Sequence, residues 1–173
     1  MKKSVIIAII AFYLLSIVIV GIMGGKFKTY DEEVYVSKII CENAAELSEA
    51  DKNALLRIVE AEATGEDIKG KMLVANVILN RVNDEEFPDS VEAVVFQKKG
   101  NRYQFSPLAD GRYYKVSITE STEEAVERVL YGEDESQGAL YFMARRQASS
   151  KNVKWFDSSL TKVLTHGVHE FFK

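Results

Sequence analysis

Arg57-Ile58-Val59-Glu60-Ala61-Glu62-Ala63-Thr64-Gly65-Glu66 is the stretch on which the reading of this chain turns. Leu55, Ile58 and Val59 recur at helical spacing, and the next position of that series, seven beyond Leu55, is Glu62. A carboxyl group thus ends an apolar stripe. Burial without a paired cation disfavours the charged form of a glutamate and raises its pKa, which keeps a proton available near neutral pH as a general acid requires. The competing reading makes Glu62 a cap or an ion-pair partner at a helix end. Glu60 lies roughly 200° around the helix from Glu62, so the two acids face different sides. Gly65 reads as the helix terminator, which leaves the direction of Glu66 open.

Working outward, Ser48 followed by Asp51 resembles a capping box and starts this helix. After a turn at Glu66-Asp67, a second helix is predicted over residues 68–82. Met72, Leu73, Val74, Ala75, Val77, Ile78 and Leu79 make it apolar nearly all round, so it is the central, buried helix. Asn76 and Asn80, one turn apart, either line a cleft or satisfy neighbouring backbone. Phe87-Pro88-Asp89-Ser90 is a turn into a short helix through Val91, Val94, Val95 and Phe96, with Asp89 and Glu92 spaced as a cap. Residues 98–117, rich in Gly, Asn, Arg, Tyr and Gln, are long for a structureless connection, and such loops are often functional. A further helix runs from near Thr119 or Ser121 to Gly132. Residues 139–143 and 160–165 predict strands, with Gly167 turning the second into a closing segment at 169–172. The fold class is therefore α+β, mainly helical with a small antiparallel sheet.

Ahead of this domain the composition changes. Val5 to Met23 runs nineteen residues with only Tyr13 and Ser16 as polar interruptions. As a helix it spans about 28 Å, close to the hydrocarbon thickness of a bilayer. Lys2 and Lys3 precede it and no small-x-small cleavage site closes it, so residues 1–25 read as an uncleaved membrane anchor, the membrane being crossed by residues 4–24 as one transmembrane helix. Residues 26–52 read as a tether and 53–173 as the working domain, placed on the extracytoplasmic side, or secreted if the leading segment is removed. Leaving out residues 1–29, with their four lysines and no acids, 18 basic side chains face 26 acidic ones, a net charge of about −8. Such a surface repels polyanions and argues against a nucleic-acid partner. The lone Cys41 excludes an internal disulfide and a thiolate metal cluster.

Several stretches, taken together, resemble the spore-cortex-lytic or cell-wall hydrolases of the SleB/CwlJ type. They are Glu62-Ala63-Thr64-Gly65-Glu66, Asn80-Arg81-Val82, Phe87-Pro88, Gln104-Phe105-Ser106-Pro107, Ala109-Asp110-Gly111, Ala139-Leu140-Tyr141-Phe142 and Gly167-Val168-His169 before Phe171-Phe172. The resemblance covers about residues 53–173. It departs at Glu60-Ala61, where the family usually has Tyr-Gly, and at Thr64, where Arg is common. It implies a lysozyme-like, lytic-transglycosylase-like fold, peptidoglycan glycan strands as substrate, no cofactor, and Glu62 as the catalytic glutamate.

That resemblance implies cleavage between N-acetylmuramic acid and N-acetylglucosamine by one carboxyl acting as acid and then as base. Glu66 or Asp110 would be the second carboxylate of a conventional hydrolase, which needs one roughly 5 to 10 Å away. Gln104, Ser106 and Tyr141 are expected in the groove, since amides, hydroxyls and aromatic rings suit N-acetyl groups and sugar faces. Asp110 either hydrogen-bonds sugar or, beside Gly111, forms a turn. Phe105 and Phe142 are expected in the core. His169 is expected to be structural, and with His166 it makes too few ligands for a catalytic zinc site, which normally takes three. A non-catalytic glycan-binding domain and a membrane-anchored assembly protein are the rival classes.

Overall fold

The computed structural model describes residues 47–173. The expected membrane span, and the tether as far as residue 46, lie outside the described residues. Among those described, no helix is long and apolar enough to cross a membrane.

Helix α1 spans Glu49–Glu62. At its start Ser48 Oγ accepts the Asp51 N–H at 3.1 Å and donates to the Asp51 carboxylate at 2.7 Å, and the other Asp51 oxygen accepts the Glu92 N–H at 2.8 Å. The cap therefore also ties α1 to the segment that begins at Val91. Leu55, Ile58 and Val59 are fully buried, as their spacing requires. Past Ala63 the chain turns through Gly65, whose φ of +84° is left-handed backbone that glycine adopts without strain.

Helix α2, Ile68–Val82, is capped by Asp67, which accepts the Gly70 N–H at 2.8 Å. Every residue from Met72 to Ile78 is buried. The helix packs against α1, the short α3 (Val91–Val95) and, past the long loop, α5 (Glu120–Leu130). Asn80 satisfies its neighbours: its amide donates to Ser136 Oγ at 2.9 Å and to the Ala139 carbonyl at 3.0 Å. The cap of α3 is Ser90, not Asp89, because the extended backbone at Ser90 aims its hydroxyl at the Ala93 N–H.

The segment 98–117 is not structureless. It forms a two-residue hairpin, β1 (Lys98–Lys99) with β2 (Arg102–Tyr103), then helix α4 (Ser106–Asp110) and a 3-10 turn at Arg112–Tyr114. Elements this short leave no periodic signal. Pro107 suits the first turn of α4, and Gly111 at φ +82° stops it.

A second sheet closes the domain. Strand β3 (Tyr141–Ala144) begins two residues later than its sequence suggests, since the Ala139 N–H bonds the Ser136 carbonyl in a turn. Helix α6 (Ser150–Ser159), capped by Ser149, follows and is not among the elements expected from the sequence; it has no fully buried residue, and only Val153 and Phe156 within it turn partly inward, Phe156 against Phe172 with the rings 5.0 Å apart. Strands β4 (Lys162–His166) and β5 (His169–Phe172) complete an antiparallel sheet in the order β3-β5-β4. Phe171 and Phe172 of the central strand are both buried. The described chain is thus mainly helical α+β with two small antiparallel sheets.

Candidate active site

A polar cleft of about 410 Å³ opens where the carboxyl end of α1 meets the sheet. One wall is Ala61, Glu62, Thr64 and Glu66; Gln104, Phe105, Ser106 and Arg112 adjoin it. The far side is β3 from Phe142 to Ala144, then Gln147, Ala148 and Asn152, with Val168 and His169 from the β4–β5 hairpin. Four of the residues singled out in the sequence, Glu62, Glu66, Gln104 and Ser106, are brought together here. Phe105 and Phe142 both pack on the core and line the cleft, their rings 6.3 Å apart.

Asp110 and Tyr141 are not among the lining residues. Asp110 is exposed, and its carboxylate holds Arg112 through the backbone N–H and Nε, each at 3.0 Å. This is the turn alternative. The Tyr141 ring is turned to the opposite side of its strand, edge-on to Phe87, Trp155 and Phe156. Successive strand residues face opposite sides, so Phe142 takes the cleft and Tyr141 loses it.

Glu62 stands half-buried at the last position of α1. Desolvation raises its pKa to about 7; the nearby Arg112 charge opposes this, Asp110 adds to it, and the Ser106 backbone N–H weakly opposes it. Arg112 is itself fixed, since Nη1 donates to the Ala61 carbonyl at 2.6 Å and Nη2 to Ser106 Oγ at 3.2 Å. The first of these bonds caps a carbonyl left open at the end of α1. Sequence reasoning missed Arg112, whose only signal was its place after the Asp110-Gly111 turn.

Glu60, two residues earlier, is held in the opposite way. Its Oε2 accepts the Thr119 N–H at 3.1 Å, the Thr119 hydroxyl at 2.7 Å and the Thr122 hydroxyl at 2.5 Å, with the Lys71 ammonium 3.5 Å away. Desolvation would raise its pKa, but these hydrogen bonds and Lys71 outweigh it and hold the pKa below the usual range. The carboxylate is buried on the α5 side, away from the cleft.

Glu66 couples α2 to the hairpin. Its Oε1 accepts the Val168 N–H at 3.1 Å, and its carboxylate fills the space beside Gly167, where a Cβ would fall 1.8 Å from Oε2. Gly167 also has φ +55°. Gly167→Ala is therefore expected to push the Glu66 carboxylate off Val168 and to strain the turn, costing about 1–3 kcal/mol of stability in a denaturant titration. His169 is buried, its ring edge-on to Phe142 at 5.3 Å, and burial pushes its pKa down against the pull of Glu66. Arg81 closes the base of the cleft. Its guanidinium is 5.0, 5.2 and 5.3 Å from the rings of Phe87, Phe105 and Tyr141, and its Nε donates to the Leu140 carbonyl at 2.7 Å.

Fold and cleft together define a mainly helical α+β domain that presents one helix-terminal carboxyl of raised pKa in a polar groove. The cell wall hydrolase family pattern matches residues 65–172, more than half of the chain, and the chain belongs to that family. Glu62 lies just ahead of the matched range. The chain is 38% identical over 119 residues to the spore cortex-lytic enzyme of Bacillus subtilis, covering 69% of this chain and 37% of that protein. It is 36% identical over 119 residues to the spore cortex-lytic enzyme of Halalkalibacterium halodurans, with 69% and 34% covered. The matched part thus spans about a third of the length of these curated relatives. Among solved structures it resembles the catalytic domain of the germination-specific lytic transglycosylase SleB from Bacillus anthracis, at 32% identity and a TM-score of 0.62 over 73% of this chain and 96% of that one. It likewise resembles the catalytic domain of the Bacillus cereus SleB protein, at 29% identity and a TM-score of 0.62 over 86% and 100%.

Proposed function

We propose that this protein is a peptidoglycan-cleaving lytic transglycosylase with a lysozyme-like fold, in which Glu62 is the one acid that does the chemistry. The observation that carries the proposal is the contrast between the two acids lining the cleft. Glu62 has a pKa near 7 and can both give and take a proton at neutral pH, whereas the Glu66 carboxylate is engaged by the hairpin. Asp110 is held by Arg112. Hydrolysis with a second free carboxylate as nucleophile or base has no ready candidate among the lining residues.

In this reading a glycan strand lies along the groove. Protonated Glu62 gives its proton to the oxygen between N-acetylmuramic acid and N-acetylglucosamine as that bond to the muramyl C1 breaks. The Glu62 carboxylate then takes the proton of the muramyl C6 hydroxyl as O6 closes on C1, which leaves a 1,6-anhydro end and restores the acid without water. Gln104 and Ser106 supply an amide and a hydroxyl for the sugar substituents. Residues 4–24 hold the domain at the outer face of the membrane. Digestion of purified peptidoglycan with analysis of the muropeptides by mass spectrometry tests the reaction: anhydro ends are expected, and reducing ends would mean a hydrolase.

The pH profile follows from the site. The acid form is required first, so kcat/KM falls as pH rises through about 7. Asp110→Asn removes a negative charge that raises the Glu62 pKa and frees Arg112 to lower it further, so this descending limb is expected to move to lower pH, with initial rates across the pH range as the measurement.

A further inference from the structure

The junction between α1 and α2 lies beside the tip of the β4–β5 hairpin. Glu66, Asp67 and His166 each bring a possible ligand atom within 4.8 Å of the others. A single ion with bonds of about 2.0 to 2.4 Å spans separations up to twice that length. His166 Nε2 is 2.7 Å from Asp67 Oδ1, so the imidazole is already turned to the carboxylate.

A second observation points the same way. His169 is 5% exposed, and its Nδ1 is buried without a hydrogen-bond partner. That nitrogen lies 3.7 Å from Glu66 Oε1. The separation is too long for a hydrogen bond, so the buried imidazole stands unpaired at the edge of the Glu66-Asp67-His166 cluster. A buried imidazole nitrogen rarely stays unpaired without a reason.

We propose that Glu66, Asp67 and His166 bind one divalent transition-metal ion of the zinc kind, with the unpaired His169 imidazole beside Glu66, and that the ion fastens the β4–β5 hairpin to the helix junction below Glu62. Two carboxylates and an imidazole suit zinc or manganese better than calcium or magnesium, which prefer oxygen throughout. The sequence counted only the two histidines, because the two acids are about a hundred positions away along the chain. The ion would act on the wall of the cleft that carries Val168 and His169, and no catalytic step is assigned to it.

The test uses the full-length chain, stripped with a chelator, and zinc titrated at pH 7 by calorimetry, with cobalt as an optical probe of nitrogen and oxygen ligands. His166→Ala removes one ligand. Asp67→Asn removes another while keeping a residue type that caps helices. The expected result is one zinc per chain in the wild type, weakened at least about tenfold in both variants, with the metal-free unfolding midpoints little changed. Failure of the wild type to bind zinc below about 1 mM would overturn the site, as would equal zinc binding by the wild type and His166→Ala, which places the ion elsewhere on the chain.

Discussion

Exchange of Glu62 for glutamine is expected to lower the release of muropeptides from purified peptidoglycan by at least about a thousandfold, because one carboxyl is asked to act as general acid and then as base. The amide keeps the shape of the side chain but can neither give nor take that proton. Folding should survive the exchange, since Glu62 stands at the end of α1 and only lines the cleft. The sign of the stability change with pH is also set. The native pKa is raised from 4.5 to about 7, so the contribution of Glu62 to stability is complete below 4.5 and is lost as pH rises through 7. Relative to wild type, the glutamine variant therefore gains stability towards alkaline pH. Equal product release by wild type and variant would remove Glu62 from the chemistry and leave a glycan-binding domain as the better reading.

The second large effect is on stability. Glu60→Ala leaves the Lys71 ammonium, 3% exposed as a residue, with hydroxyl partners only, from Thr119, Ser121 and Thr122, and no countercharge. Removing one member of a buried ion pair costs about 3–5 kcal/mol, which in a domain of this size lowers the unfolding midpoint by on the order of 10 °C. It also strips the Thr119 N–H at the start of α5 of its acceptor. Replacing both charges, Glu60→Leu with Lys71→Met, is expected to recover part of the loss, because it removes the unpaired charge while the Thr119 N–H and the Thr122 hydroxyl still lack the acceptor that Glu60 gave them. A Glu60→Ala variant as stable as the wild type in thermal unfolding would show that the pair carries no such weight.

Glu60 and Glu62 also show what a sequence reveals and what it withholds. Their separation around α1 follows from helical geometry alone, and the structure sends one into the α5 interface and the other to the cleft. Lys71 as the partner of Glu60 was hidden, since nothing in the sequence of α2 says that Lys71 is turned inward while Lys69, two residues earlier, is exposed. Helices α1, α2 and α5 were legible through periodicity and through glycines and hydroxyl caps at their ends. The segment from Lys98 to Tyr114 and helix α6 were not, because elements this short, or with only two half-buried apolar side chains, bury too little to impose a clear pattern. In the cleft, the acids, Gln104 and Ser106 were named from their chemistry and a family resemblance. Tyr141 was named on the same grounds, yet the two-residue alternation of β3 gives the cleft its neighbour Phe142. Arg112, and Glu66 as a brace for the hairpin, depend on contacts between distant segments, which spacing along the chain does not encode.

Strand β5 is hydrogen-bonded on one edge to β3 and on the other to β4, although it follows both in the chain. During synthesis neither outer strand has its partner until residues 169–172 have left the ribosome, and the wall facing Glu62 is missing from every shorter nascent chain. Translation order alone thus keeps the groove unassembled until the central strand of its sheet has been made.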